Sequence, residues 1–265
     1  MIITTALGIG DLIYLKAALD DIKDQHSEIK IHLALDLIGW SRRNVDYVYF
    51  ISQLANLLFA GHPYQVVSEG PEFRPMPDIY AEHNLQQSKP NLPILCDGKS
   101  LDIGKYIVMT TKNRYITRDD INFPQLWNVV QQLSQKYKVV ILGEREVEMN
   151  VEYQGNTSRM VYSIYNDIIA NVPTERLVDL TIPVLGITSP NMTQLRQDCL
   201  IMRDAVSIIT FGIGGNFTMA NAVGKTVGYR VDQEPCANAI FDSKTYPHNI
   251  STRDWGFFLK KLEEL

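Results

Sequence analysis

The chain has 265 residues, of which 45% are apolar and 21% charged, and it carries a formal net charge of −5. That length holds one large domain or two small ones, and the composition is that of an ordinary globular protein. A net negative chain has no basic field to hold a polyanion, which argues against nucleic acid as a partner. Three apolar residues, Met1 to Ile3, lead into Gly8-Ile9-Gly10-Asp11, after which Leu12, Leu15, Leu19 and Ile22 recur at helical spacing. The order reads as strand, glycine turn, helix. Glycines there open backbone torsions closed to other residues and allow close approach of another molecule. Asp11 falls at the start of the helix, where unpaired amides stabilise a carboxylate. Two readings stay open for it: a helix cap, or a catalytic group facing a crevice at the end of a sheet. Gly8 and Gly10 are not a dinucleotide fingerprint, because the third glycine would stand at Ile13.

Residues 29–35 form a short apolar run that reads as a second strand, residues 43–60 carry a helical apolar stripe, and residues 65–67 give a weak third strand. Alternating strands and helices call for a parallel sheet with crossover helices. Residues 69–93 hold five prolines and little periodicity. They are expected to form an irregular cleft rim and connector. A second unit then begins with a strand at 105–110 and a cationic exit loop holding Lys112 and Arg114, with Arg118 following. Residues 123–137 read as a helix with Pro124 in its first turn. Residues 138–142, Lys-Val-Val-Ile-Leu, read as a strand, and Gly143-Glu144-Arg145-Glu146 as its exit loop. Further on, helices are expected at 160–169 and 191–203, strands at 205–210 and 226–230, and a closing helix at 255–262. Between the last two strands, Gly214-Gly215-Asn216-Phe217-Thr218 opens a short helix. Free amides and the helix dipole favour an anion there, so these residues form a candidate diphosphate cradle. The competing reading is that the glycines only permit tight strand–helix packing.

The run Gly8-Ile9-Gly10-Asp11-Leu12-Ile13-Tyr14-Leu15 after a short apolar strand resembles the opening of the ADP-heptose:lipopolysaccharide heptosyltransferases, glycosyltransferase family nine. The order strand, cationic loop, Phe-Pro helix, strand ending in glycine, glutamate resembles that family's donor-binding half. Gly215, Ala220, Gly224 and the following strand keep the frame of a third family segment. Three positions there depart from it: Ile213 or Gly214 replaces an acidic residue, Asn216 a proline and Thr218 a histidine. The family's lysine before its Trp-Pro pair is also missing, Ile121-Asn122 standing there instead.

The resemblance implies an α/β chain of two Rossmann-like domains facing a cleft, GT-B-like, with parallel sheets. The expected boundaries are 1–102 for the acceptor-side domain, 103–249 for the nucleotide-sugar domain and 250–265 for a C-terminal helix crossing back. It implies an inverting glycosyltransferase that moves a sugar from a nucleotide-diphosphate donor to a glycan or lipid-linked glycan hydroxyl, with Asp11 as general base. Donor contacts are expected from Gly8, Gly10, Glu144, Gly214, Gly215, Asn216, Phe217 and Thr218, with Lys112, Arg114 or Arg118 in the cationic role. No cofactor is expected, and no metal: the five histidines are scattered and no Asp-rich loop is present. Two alternatives are a nucleotide-sugar epimerase-like enzyme and a non-catalytic nucleotide- or glycan-binding relative.

Cys96, Cys199 and Cys236 are far apart, match no zinc spacing and suggest no disulfide framework, which fits a reducing compartment. No secretory signal is read at the N-terminus, and the apolar runs are too short to span a bilayer. A cytoplasmic location is expected, compatible with peripheral membrane contact.

Overall fold

The structure is a computed structural model that describes residues 1–5, 8–33, 45–67, 76–86, 88, 92, 95–114, 122–146, 148–152, 158–184, 191–211, 215–223, 227–229, 249–251 and 254–264. Strands β1 (Ile2–Thr5), β2 (Ile29–Leu33) and β3 (Tyr64–Val67) form a parallel sheet in that order. Helices α1 (Ile9–Asp20) and α2 (Val45–Leu58) are the crossovers that parallel pairing requires. Along β2, Ile29, Ile31 and Leu33 are buried while Lys30 and His32 are half-buried. This period of two lines one face of the sheet with apolar residues. Inside the proline-punctuated stretch expected to be irregular lies a further helix, α3 (Met76–Glu82). Pro77 is its second residue, where a missing N–H forfeits no intrahelical bond.

The second sheet is built from β4 (Tyr106–Arg114), β5 (Lys138–Leu142), β9 (Leu177–Asp179), β11 (Ile208–Phe211), β12 (Val227–Tyr229) and β13 (Asn249–Ser251), in the order β13-β12-β11-β4-β5-β9. All six run parallel. From β4 the chain builds outward one way through β5 and β9, then returns to β11 and builds outward the other way. The strand order reverses between β4 and β11, as in a dinucleotide-binding fold, and crevices for ligands open at the carboxyl ends of such a pair.

Strands β7 (Glu148–Glu152) and β8 (Ser158–Ser163) form an antiparallel hairpin, and β8 pairs antiparallel with the end of β4. The hairpin corrects two expectations: the second sheet is not purely parallel, and the expected helix at 160–169 is strand up to Ser163, helix α5 being Tyr165–Asn171. The run Met160-Val161-Tyr162 is apolar and includes a β-branched and an aromatic residue, which fits a strand as well as a helix. Likewise β4 continues through Arg114, so Lys112 and Arg114 lie on a strand and not in an exit loop. Glu144–Glu146 is a short strand, β6, paired with β10 (Ile182–Val184).

Helix α4 (Phe123–Lys136) is capped by Asn122, whose side chain accepts from the Gln125 N–H at 3.3 Å. Its buried face is Leu126, Val129, Val130 and Leu133. The closing helix α8 (Trp255–Glu263) packs on α4. Gln125 Nε2 donates to Asp254 Oδ1 at 2.7 Å, and Trp255, 2% exposed, packs against Phe211. Through these contacts α8 joins the core between α4 and the second sheet.

The other face of that sheet carries α6 (Met192–Asp204) and α7 (Gly215–Ala222). Here one continuous core joins Val108, Val140 and Ile208 to Leu195 and Cys199 of α6, to Phe217 and Ala220 of α7, and on to α1, α2 and the first sheet.

Candidate functional site

The two glycine-rich turns meet. Helix α1 starts at the carboxyl end of β1, and α7 starts near the carboxyl end of β11. Their first turns touch: a Cβ on Gly10 would stand 2.8 Å from Thr218 Oγ1 and 3.7 Å from the Gly215 Cα, and a Cβ on Gly215 would stand 3.6 Å from the Ile9 Cβ. Gly10 is thus a helical residue selected for close approach and not for an unusual torsion. Gly8, the N-cap of α1, has φ −80° and ψ −179°, an extended conformation open to any residue. The expected need for special glycine torsions is corrected at both positions.

Asp11 is the acidic residue of the first turn of α1 and is exposed. Its Oδ2 accepts from the Gly8 N–H at 3.1 Å, the arrangement of a residue that caps its own helix. Tyr80 of α3 lies near it. The Tyr80 hydroxyl donates to the Tyr14 carbonyl at 3.3 Å, and burial, aided by the negative charge of Asp11, holds the phenol well above the usual tyrosine range. The sequence reading missed Tyr80, since α3 lies among prolines and spans only seven residues.

Across the contact, Asn216 is half-buried while Thr218 is 2% and Phe217 0% exposed. Phe217 therefore contributes its ring to the core, and a donor contact from it is limited to the main chain. Its carbonyl accepts from Asn221 Nδ2 at 3.0 Å. Helix α7 leaves its first-turn N–H groups without intrahelical acceptors, which polarises that end positively.

Beneath this turn lie the two strands where the order reverses. Met109 pairs with Ile209, and the next residues, Thr110 and Thr210, are each 1% exposed. Neither hydroxyl has a hydrogen-bond partner among the described residues. A buried hydroxyl left so costs on the order of 1–3 kcal/mol. The sequence carried no signal for either beyond a threonine at the end of an apolar run.

Glu144 follows Gly143, whose φ of +111° is the left-handed region. Glu144 is 7% exposed, and its carbonyl accepts from Thr111 Oγ1 at 2.7 Å and Ser163 Oγ at 2.8 Å. These bonds fix it beside the end of β4. The main chain of Lys112 and Arg114 pairs with Ser163 and Val161 on β8; their side chains, and the whole of Arg118 and Gly214, lie outside the described residues. Among the described residues, no group of three or more His, Cys, Asp or Glu side chains could hold a metal ion, and no helix is long and apolar enough to cross a membrane.

The fold is that of a known enzyme class. It matches the crystal structure of a family 9 glycosyl transferase from Veillonella parvula DSM 2008 with a TM-score of 0.51 and 12% identity, over 100% of this chain and 89% of that one. The iron-containing dodecameric glycosyltransferase TibC from enterotoxigenic E. coli H10407 aligns at a TM-score of 0.49 and 13% identity, over 94% of this chain and 61% of that one. TibC in complex with ADP-D-beta-D-heptose aligns at 0.46 and 12%, over the same shares. No protein-family profile matches the sequence, and no curated protein does. The chain has the α/β, GT-B-like fold of a family 9 glycosyltransferase, with two larger sheets of mainly parallel strands among the described residues, the β7–β8 hairpin added to the second and β6–β10 a separate parallel pair.

Proposed function

We propose that the protein is a glycosyltransferase that moves a sugar from a nucleotide-diphosphate donor to a hydroxyl of a glycan or lipid-linked glycan. In this reading, Asp11 takes the proton of the acceptor hydroxyl as that oxygen attacks the anomeric carbon, and the configuration there inverts. Negative charge grows on the departing diphosphate. First-turn amides of α7 at Gly215 and Asn216, together with Lys112, Arg114 or Arg118, stabilise it with no metal. Glu144 holds the nucleoside.

The observation that carries the reading is the contact of Gly10 with Thr218. Through it, the first turn of α1, which bears Asp11, lies against the first turn of α7, whose free amides make it the positive end of that helix. The fold of a family 9 glycosyl transferase supports it. A second reading, a binding protein without turnover, is favoured by one bond: Asp11 Oδ2 already accepts from the Gly8 N–H, so the carboxylate has a structural task.

The test is incubation of the full chain with a panel of nucleotide-diphosphate sugars, with and without glycan acceptors. Acceptor-dependent release of nucleoside diphosphate, with an inverted linkage by NMR, is the expected result. An altered donor sugar without release favours an epimerase. Calorimetric binding with no turnover favours the non-catalytic reading.

A further inference from the structure

Strand β6 and its partner β10 are three residues each, with Ile182 opposite Glu144 and Val184 opposite Glu146. So short a pair fixes its own register weakly. Register matters here because successive side chains on a strand point to opposite sides, and a slip of one residue would exchange the sides of Glu144 and Arg145.

Side chains supply what the backbone pairing lacks. Arg145 Nε donates to Thr181 Oγ1 at 2.9 Å, and its Nη2 donates to Asp179 Oδ2 at 3.0 Å. Thr181 Oγ1 donates in turn to Asp179 Oδ1, which closes a ring of bonds. The Thr181 N–H reaches the same Oδ1 at 3.0 Å, and the Tyr165 hydroxyl donates to Oδ2 at 2.8 Å. The Arg145 guanidinium also stands over the Tyr165 ring, 5.4 Å from its centre. Burial raises the Asp179 carboxyl, but the Thr181 and Tyr165 bonds and the Arg145 charge outweigh it and hold it below the usual carboxylate range. A second path runs from the ring to Glu144: the Tyr165 N–H donates to Ser163 Oγ at 3.2 Å, and Ser163 Oγ donates to the Glu144 carbonyl at 2.8 Å.

We propose that Asp179 is a positioning residue: by anchoring Arg145 on one side of β6, it turns Glu144 to the other side and so sets the nucleoside contact. The inference rests on the reading of Glu144 as that contact. Each Asp179 oxygen accepts two bonds from protein donors, which fills the carboxylate, so its effect on a ligand runs through Glu144.

Asp179→Asn is the selective change. An amide oxygen at the place of Oδ1 keeps both Thr181 bonds, whereas an NH2 at the place of Oδ2 cannot accept from Arg145 or Tyr165. Affinity for ADP, GDP, UDP and CDP is measured by calorimetry on the full chain carrying Asp179→Asn, Glu144→Gln or both. With the tightest of the four, Asp179→Asn should weaken binding about tenfold, and less than about twofold once Glu144→Gln is present, since residues in one network couple. Equal weakening in both backgrounds, or unchanged affinity in Asp179→Asn, overturns the proposal. Hydrogen exchange gives a readout free of nucleotide. The Ile182 N–H donates to the Gly143 carbonyl at 2.9 Å beside β6, and the Val108 N–H donates to the Ser207 carbonyl within the second sheet. Asp179→Asn should speed exchange at Ile182 about tenfold and leave Val108 unchanged. Glu144→Gln binding as the parent does would overturn the nucleoside reading, whereas unchanged exchange at Ile182 overturns the proposal itself, so the two failures are distinct. Arg145→Met, at the exposed corner of the ring, removes the Arg145 bonds, should reproduce both effects, and decides the matter if Asp179→Asn misfolds.

Discussion

A Cβ on Gly10 would overlap Thr218 Oγ1 at 2.8 Å, so the first turn of α1 seats on the first turn of α7 only because residue 10 has no side chain. Helix propensity alone predicts that Gly10→Ala stabilises, by up to about 1 kcal/mol. The overlap acts the other way. Thr218 is β-branched and 2% exposed, so its hydroxyl has little room to withdraw, and overpacking of this kind costs about 1–3 kcal/mol. Gly10→Ala is therefore expected to destabilise by about 1 kcal/mol in urea denaturation. The same change in a Thr218→Ala background should be neutral or stabilising. If the two substitutions are additive, the contact does not govern the glycine.

Asp11→Asn separates the two roles of the carboxylate. The Asn amide oxygen still accepts from the Gly8 N–H, so stability should change by less than about 1 kcal/mol. It cannot take a proton, and loss of a general base lowers turnover by about 10²–10⁴-fold. The expected outcome, in acceptor-dependent release of nucleoside diphosphate, is a fall of about a hundredfold or more with an unchanged unfolding curve. Turnover within a few-fold of the parent would reduce Asp11 to a helix cap.

The parts that periodicity made legible are those with long, one-sided burial. Helix α4 was readable from Pro124 and its apolar stripe, and β5 from a Val-Val-Ile-Leu run. The start of α1 was readable from Gly8 to Leu19, although the reason for Gly10 was not, because its partner Thr218 is distant in sequence. Elements shorter than a helical turn or two, or placed by pairing alone, left no such trace. Strand β6 is set by its partner β10, β8 by the end of β4, and α3 by the burial of Ile79 in the core. Tyr80, Thr110 and Thr210 matter through tertiary neighbours, and no local pattern distinguishes them.

Gly143 links β5 to the fixed carbonyl of Glu144. Its φ is +111°, and a Cβ there would stand 2.5 Å from Thr111 Oγ1, the hydroxyl that donates to the Glu144 carbonyl. Gly143→Ala meets both a torsion that L-residues avoid and a direct overlap, each of order 1 kcal/mol or more. The expected loss is about 2 kcal/mol or more by urea denaturation. Because Thr111 must give way, Glu144 should shift and nucleoside diphosphate binding should weaken by calorimetry. A stable variant with unchanged affinity would detach Glu144 from the nucleoside.

Asp198 makes stability depend on pH in an unusual direction. It is half-buried on α6, and desolvation pushes its carboxyl up to about 6 although Gln194 Nε2 donates to it at 2.8 Å. The unfolded value is about 3.9. A folded pKa above the unfolded one means that the folded chain binds the extra proton between about 4 and 6. The contribution to stability is thus fully present below about 4 and is lost as pH rises through about 6. At pH 7 the charged group is a penalty of about 1–2 kcal/mol, discounted for the water that still reaches it. Asp198→Asn keeps an oxygen for Gln194 and carries no charge. It should match the parent near pH 4 and exceed it by that amount at pH 7, with the gap opening between. Urea unfolding of both proteins from pH 4 to 7.5 measures the difference, in which the other carboxylates cancel; a gap that does not change with pH would show that Asp198 does not take up a proton in the folded chain.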